Sequence, residues 1–200
     1  MYNPASFVET RLDVIASAIE QHPLATLVTL GPPAHISASH LPLLFYASST
    51  IGTLRGHMAR ANPQWVDFQA GSEALAIFAG PHHYVSPNWY PSKQEHGKVV
   101  PTWNYVVVHA RGQLTFHEDP RWLLANVNAL TDSQERQLAG PWKVSDAPPD
   151  YIDGMLRAIV GVELTITSLE GKWKVSQNRP EEDRKGVMAA LVGGTLGNHS

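Results

Sequence analysis

The stretch that decides the fold is VVPTWNYVVVHARGQLTFH, residues 99–117, a long extended tract in a chain of 200 residues. It is rich in Val, Thr and aromatic residues, which favour β-strands. Gly112 lies inside it, and a glycine within a strand indicates a bulge or a bend. The sequence therefore predicts one long, interrupted strand here.

Five other tracts have the apolar content and flanking turns of strands. They occupy residues 24–30, 36–46, 51–58, 74–79 and 160–166. Short turns such as Gly31-Pro32-Pro33 join most of them, and the helical crossovers of a parallel sheet are absent. The predicted fold class is mainly β with peripheral helices, in the form of a six-stranded antiparallel barrel.

Capping signals place the helices around this sheet. Ser6 and Glu9 fit a capping box for a helix over 7–21, and Asn62-Pro63 begins a short helix. Asp119-Pro120 begins a helical insertion of about 120–158, and a terminal helix covers 180–192. With no linker between two cores, we expect a single domain over 1–192 and a disordered tail over 193–200.

Composition excludes several classes of protein. The chain has no cysteine, which rules out disulfides, zinc fingers and thiol catalysis. No apolar run approaches the ~18 residues of a membrane span, and the N-terminus lacks the layout of a signal peptide. We therefore expect a cytoplasmic protein that does not associate with membranes. Its formal net charge of −3 gives no general attraction to nucleic acid.

An aromatic segment extends from Gly80 to Gly112. It carries five large aromatic residues, namely Tyr84, Trp89, Tyr90, Trp103 and Tyr105. Loops this long are usually functional, and aromatic side chains can stack on a planar ligand. The alternative is an ordered surface loop, or a dimer contact, that packs its own aromatic residues.

Two polar segments are further candidates. Arg55, His57 and Arg60 precede the helix that Asn62 caps, and a helix N-terminus with an arginine fork binds phosphate well. The alternative is that these arginines pair with surface carboxylates. The segment 171–179, GKWKVSQNR, either closes a pocket with its polar donors or forms an exposed turn.

The sequence has no motif for a metal site, a catalytic nucleophile or a phosphate-binding loop. His82 and His83 are adjacent, so on an extended chain they point to opposite faces, and we expect no metal site. There is no GxSxG nucleophile motif and no glycine-rich phosphate loop of the GxGxxG or GxxxxGKS kind. A planar, phosphorylated ligand held by aromatic rings and scattered donors, such as FMN or another mononucleotide, stays open.

Several of these segments together resemble one family. YVSPNWYPSK (84–93), GKVVPTWNYVVVHARG (97–112) and GKWKVSQNR (171–179) are similar to motifs of the PaiB family of FMN-binding, split-barrel proteins. HPLATLVT (22–29), SHLPLL (39–44) and LRGHMARANPQW (54–65) extend the resemblance, in the same order, from Met1 to about Leu191. The resemblance implies a six-stranded split β-barrel that forms homodimers, like the wider pyridoxamine-phosphate-oxidase-like group, with FMN in clefts between the barrels.

The resemblance also implies roles for particular residues. Those expected to hold the phosphate and ribityl chain are Ser39, His40, Leu41, His57, Ala59, Arg60 and Asn62. Those expected near the flavin ring are Thr102, Trp103 and Asn104. Lys174, Gln177 and Asn178 are expected to reach the flavin of the same or the partner subunit. The loop from Tyr84 to Lys93 is then the expected wall on the other side of the ring.

Members of this family are commonly labelled negative transcriptional regulators. This chain has no helix-turn-helix pattern and is net negative, so direct DNA contact is not expected and regulation would be indirect or use a dimer surface. One alternative is an FMN-dependent oxidoreductase using NAD(P)H, with His82, His83, Tyr90 or Lys93 as proton donor. Another is a flavin or haem carrier without catalysis.

Overall fold

The computed structural model describes residues 1–48 and 50–194. The strands are β1 Val8–Glu9, β2 Leu24–Gly31, β3 His35–Pro42, β4 Leu44–Ala47, β5 Gly52–Ala59, β6 Glu73–Val85, β7 Thr102–His117 and β8 Ile159–Lys174. The α-helices are α1 Leu12–Gln21, α2 Gln64–Asp67, α3 Ser92–His96, α4 Pro120–Glu135, α5 Pro149–Arg157 and α6 Glu181–Gly194. Short 3-10 helices occupy Ala5–Phe7, Pro87–Trp89 and Val144–Asp146.

All pairings in the sheet are antiparallel, and the strand order is β3-β2-β6-β7-β8-β5-β4, with β1 added beside β8. The long strand that the sequence predicts is β7, and it lies in the middle of this order. Its register against β8 shifts between Arg111 and Gly112. A Cβ atom at Gly112 would overlap the carbonyl oxygen of Thr165, so only glycine fits there. The predicted bulge is confirmed.

The predicted tract 36–46 contains two strands rather than one. Strand β3 pairs with β2, whereas β4 pairs with β5 at the opposite end of the strand order. Between them the backbone N–H of Leu43 donates to Pro23 O at 2.9 Å, which interrupts the strand. Within residues 1–48 and 50–194, this break and the short β1 raise the number of strands from the predicted six to eight. One continuous stretch of chain thereby connects the two ends of the sheet order.

The core lies on the inner face of this curved sheet. Alternate residues of each strand supply it, as Ala25 and Leu27 do on β2 and Val162 and Leu164 do on β8. Helix α1 adds Ile19, which is fully buried. Burying an aliphatic side chain of this size contributes about 1.5–3 kcal/mol, so the core carries much of the stability of the fold.

The predicted capping box at the N-terminus is wrong, because α1 begins at Leu12. Val8 and Glu9 are drawn into strand β1 instead. The Glu9 carboxylate accepts hydrogen bonds from the side chain and backbone N–H of Arg11 and from the backbone N–H of Thr10. These bonds, led by that from the Arg11 side chain, hold the pKa of Glu9 at about 2.

Two helices of the predicted insertion, α4 and α5, cover the outer face of β5 and β8. The Asp119 side chain accepts from Arg121 N at 3.1 Å, which confirms the predicted cap of α4. Helix α6 runs to Gly194, two residues into the tail predicted to be disordered, and residues 195–200 lie outside the described residues. Within the described part of the chain, none of the helices has the length and apolar character of a membrane span.

Candidate functional site

Strand β7 begins with Thr102, Trp103 and Asn104, which lie opposite Val85, Tyr84 and His83 of β6. A bulge between Ala79 and His82 separates this end of the hairpin from the rest. The Trp103 side chain is 52% exposed, with ring centroids of Tyr84 at 5.9 Å and His82 at 6.2 Å. The predicted ring-binding segment is therefore an exposed aromatic surface.

Lys174 joins this segment from the end of β8. Its Nζ donates to Trp103 O at 2.7 Å and to Thr102 Oγ1, and it lies 5.9 Å from the centroid of the Tyr105 ring. Burial lowers the pKa of Lys174, and the nearby charges of Lys172 and Arg179 lower it further, against an opposing contribution from Tyr105. The structure thus brings together three residues that the resemblance assigns to the flavin, within a locally positive field.

Asn104 and Ser176 form a buried polar pair behind this surface. Ser176 Oγ donates to Asn104 Oδ1 at 3.0 Å, and the two side chains are 8% and 5% exposed. Ser176 has a φ of 66°, in the left-handed region that serine seldom adopts. Sequence reasoning missed Ser176, although it stands within the segment GKWKVSQNR.

Gln177 and Asn178 have different surroundings. Gln177 Oε1 accepts from Val175 N at 2.8 Å and its Nε2 donates to Trp173 O, so its amide group shapes the turn after β8. Asn178 is exposed beside it. Of the three residues predicted in this segment, Lys174 is the one for which the described residues show side-chain hydrogen bonds to the start of β7.

The expected phosphate residues begin on β3 and at the start of α2. Asn62 Nδ2 donates to Ser39 Oγ at 2.8 Å, and Asn62 Oδ1 accepts from Gln64 N at 3.0 Å, as its predicted capping role requires. His40 points away from the core and lies 3.0 Å from Thr26 Oγ1, whereas Leu41 is part of the core. Neighbouring residues of a strand face opposite sides, so the trio at 39–41 is divided between two faces.

Both arginines of the segment LRGHMARANPQW are paired with carboxylates. Arg55 Nε donates to Glu163 Oε2 at 2.6 Å. Arg60 Nε donates to Arg157 O at 2.9 Å, and its Nη1 donates to Glu118. Ala59 is exposed beside Arg60. In the single chain, both arginines therefore follow the alternative interpretation, in which they pair with carboxylates.

His57 lies under helix α4. Its Nδ1 atom is 3.4 Å from Asn126 Nδ2, and burial lowers its pKa. Across Gly161 on the neighbouring strand, His117 stacks on Trp122 with a centroid separation of 4.2 Å. Among the described residues, His57 has its side-chain contact with Asn126, and the Ser39–Asn62 pair is formed without a hydrogen bond to His57.

The loop from Tyr84 to Lys93 packs largely against helix α6. Tyr90 is 2% exposed and forms a second small core with Val85 and Val187. Lys93 Nζ donates to Asn88 Oδ1 at 2.6 Å within the same loop. Of the four proton donors considered above, His82 and His83 are exposed, whereas Tyr90 is enclosed in this packing.

The fold and the site together define the class of protein: a mainly antiparallel β-sheet protein with an aromatic and cationic surface at one end of its sheet. Residues 1–168 match the family described as "Putative FMN-binding domain". The chain belongs to this family, the PaiB family whose motifs its sequence resembles.

Two relatives match almost the whole chain. An uncharacterised protein of Emericella nidulans is 34% identical over 226 residues, covering 96% of this chain and 90% of that protein. The "Protease synthase and sporulation protein PAI 2" of Bacillus subtilis is 32% identical over 191 residues, covering 96% and 89%. Among solved structures, the FAD and heme binding protein of Mycobacterium smegmatis has a TM-score of 0.59 at 16% identity, over 91% of this chain and 79% of that one. This last likeness concerns the fold alone.

Proposed function

We propose that this chain binds FMN, and that the surface formed by Lys174 and residues 102–104 holds the flavin ring. The observation that carries the proposal is the contact of Lys174 with Thr102 and Trp103 beside exposed aromatic rings. Trp103 offers a stacking surface, while Lys174 and Asn104 offer donors to ring oxygen and nitrogen atoms. These residues fit FMN, which when bound supplies a ring that exchanges one or two electrons.

The phosphate and ribityl chain would be held by the other set of residues. Ser39, Asn62 and His40 supply polar groups on β3 and at the start of α2, while Leu41 and Ala59 offer only backbone groups. Arg60 would contribute its guanidinium to the phosphate once Glu118 no longer competes for it. His57 would support this set of residues indirectly, by its contact with Asn126 of α4.

We infer a homodimer, because the two sets of residues lie on different parts of one chain. Ser39 is opposite Leu27, and the register through Ala76 places both level with Ala110 of β7. Asn104 is six residues further along β7, or about 20 Å at the rise of a strand. A two-fold axis would bring the phosphate set of one subunit beside the ring set of its partner.

The proposed biological role is negative regulation of transcription by the flavin-loaded dimer, without direct contact with DNA. The Bacillus subtilis relative is named a protease synthase and sporulation protein, which is consistent with a regulatory role. Several cations that a DNA-binding surface would need are paired with carboxylates, as Arg55, Arg60 and Lys185 are. Regulation would then pass through a protein partner.

The second candidate is an FMN-dependent oxidoreductase that uses NAD(P)H. The exposure of Trp103 and Tyr84 favours it, since a ring stacked on this surface would be open to a second substrate. His82 and His83 are exposed nearby and could donate a proton. A carrier without catalysis is the third candidate, and the haem-binding neighbour in the fold comparison is its support.

Purified protein titrated with FMN tests the shared premise. We expect a shift of the flavin absorbance at micromolar FMN and a dimer in sedimentation. Lys174→Ala should weaken FMN about ten-fold, because a charge-assisted hydrogen bond is lost, whereas the exposed Lys143→Ala should leave it unchanged. Failure to bind at tens of micromolar FMN would refute the proposal. Anaerobic titration of the loaded dimer with NADH and NADPH then separates an oxidoreductase from a binder.

A further inference from the structure

A cavity of about 650 Å³ lies between the start of β7, the turn after β8 and helix α6. Its lining residues are Pro81, His83, Asn104, Tyr105, Val106, Val175, Ser176, Glu181, Arg184, Lys185, Val187, Met188 and Leu191. Most of this surface is apolar, and a few polar groups interrupt it. Both the volume and this mixture are typical of sites for small molecules.

Three side chains with hydrogen-bond donors border the cavity, and within the described part of the chain these donors have no partner. Asn104 Oδ1 already accepts from Ser176, which leaves the amide Nδ2 as the free group of that side chain. Over residues 1–48 and 50–194, neither this nitrogen nor the side chains of His83 and Arg184 has a hydrogen bond or ion pair. Asn104 is 8% exposed, and a buried polar group normally has a hydrogen-bond partner, so a ligand acceptor would satisfy its Nδ2. His83 and Arg184 are exposed and add donors at the open side of the cavity.

The charges of the lining leave one cation uncompensated. Glu181 Oε1 is 2.7 Å from Lys185 Nζ, so these two opposite charges neutralise each other at the rim. Arg184 is adjacent to that pair and carries the remaining positive charge of the lining. A ligand that matches this cavity therefore has an anionic group at one end and an apolar body.

We propose that this cavity binds a small carboxylate with an aliphatic body. Arg184 holds the carboxylate in a charge-assisted pair, Asn104 Nδ2 and His83 donate to its oxygens, and Val106, Val187 and Met188 surround the aliphatic part. The site goes beyond the proposed flavin site and shares Asn104 with it, since the two hydrogens of Nδ2 allow one hydrogen bond to each ligand. Arg184 and His83 belong to this cavity alone. An aliphatic chain has no planar ring to stack on Trp103, which distinguishes the two ligands.

Isothermal titration with decanoate tests the proposal on the full chain, with and without FMN. Decyltrimethylammonium, with the same alkyl chain and the opposite charge, is the matched probe. We expect decanoate to bind about ten-fold more tightly or better. Arg184→Ala should abolish that preference, whereas Arg121→Ala, which removes an exposed helical arginine elsewhere, should leave it unchanged. Equal binding of the two probes would overturn the proposal.

A second variant tests the apolar wall of the cavity. Met188 is 61% exposed, so Met188→Asp should leave the fold intact and weaken decanoate about ten-fold or more, by adding a negative charge beside the alkyl chain. If decanoate does not bind and Met188→Asp instead changes the mass in sedimentation, a second copy of the chain occupies the cavity and the proposal is wrong. FMN binding, followed separately by absorbance, reports on the flavin site alone.

Discussion

The carboxylate of Asp183 accepts hydrogen bonds from both the backbone N–H and the hydroxyl group of Ser92. The distances are 3.1 Å to Ser92 N and 2.8 Å to Ser92 Oγ, and Asp183 is 1% exposed. This contact fastens α6 to the beginning of α3, and Val187 packs on Tyr90 one turn further along. The loop that contains Tyr90 and the terminal helix therefore form one unit, and α6 also lines one side of the cavity described above.

Asp183→Ala should lower the free energy of unfolding by about 1.5–3 kcal/mol, because two hydrogen bonds to a buried charge are lost and a backbone N–H is left without a partner. Urea denaturation measures this loss, and limited proteolysis should show earlier cleavage within residues 86–98. Glu182→Ala is the matched control, since Glu182 is exposed on the same turn. Equal losses in the two variants would mean that the contact with Ser92 is unimportant.

Gly161 and Gly154 provide a second matched pair. A Cβ atom at Gly161 would overlap the Trp122 ring that stacks on His117, so Gly161→Ala should displace α4 and cost about 1–3 kcal/mol. A Cβ atom at Gly154 would meet only Arg157 Nη2, at 3.9 Å. Gly154→Ala should therefore leave the free energy of unfolding unchanged or raise it by up to about 1 kcal/mol, because alanine favours the helical conformation more than glycine does. Thermal denaturation of both variants compares them directly, and a neutral Gly161→Ala would contradict the packing of Trp122.

The sequence indicates strands and caps well where the signal is local. Asn62 and Asp119 cap their helices because the side-chain oxygen and the backbone N–H that donates to it are only two residues apart. Gly112 marks the bulge because its own backbone is crowded. Ser6 and Glu9 fail as a capping box because their segment pairs with β8, more than 150 residues away in the chain. Such competition between local and distant partners is invisible to a local pattern.

The site follows the same rule. The segment containing Trp103 and the one containing Lys174 carry recognisable motifs, and the structure joins them. Motifs could not predict the partners of Arg60 and His57. Glu118 lies just before α4 and Asn126 lies within it, and both reach β5 only through tertiary packing. The sequence offers a pocket closed by the segment 171–179 as one of two interpretations, and Val175 and Ser176 of that segment do line the cavity beside α6. The rest of its lining could not be predicted, since it comes from three other stretches of chain.

Stability should fall as the solution becomes acidic, because of His57. Burial holds its pKa below the ordinary value of 6.5, so the unfolded chain takes up the proton more readily than the folded one. Its contribution to stability is therefore present above pH 6.5 and is lost as the pH falls through 6.5 toward the lower folded pKa. His109, whose pKa is also lowered mainly by burial, acts in the same direction.

Chemical denaturation at pH 8 and pH 5 measures this dependence. His57→Gln should reduce the difference between the two pH values, since the side chain can still bond to Asn126 but no longer titrates. His35→Gln removes an exposed histidine of β3 and should leave the difference as in the unsubstituted chain. A pH dependence that is the same in all three proteins would rule out His57 as its source.

The pair formed by Arg60 and Glu118 decides whether Arg60 binds the flavin phosphate. If it does, Arg60→Ala should weaken FMN about ten-fold and leave riboflavin, which lacks the phosphate, nearly unchanged. Glu118→Gln removes the competing carboxylate and should strengthen FMN several-fold, because the guanidinium is freed and a repulsive charge is lost. Glu118 is 59% exposed in its side chain, so the substitution should cost little stability. Titrations of both flavins against the three proteins measure these changes. If Glu118→Gln weakens FMN instead, the pair serves only to hold β5 against the insertion, and Lys174 becomes the leading candidate for the phosphate contact.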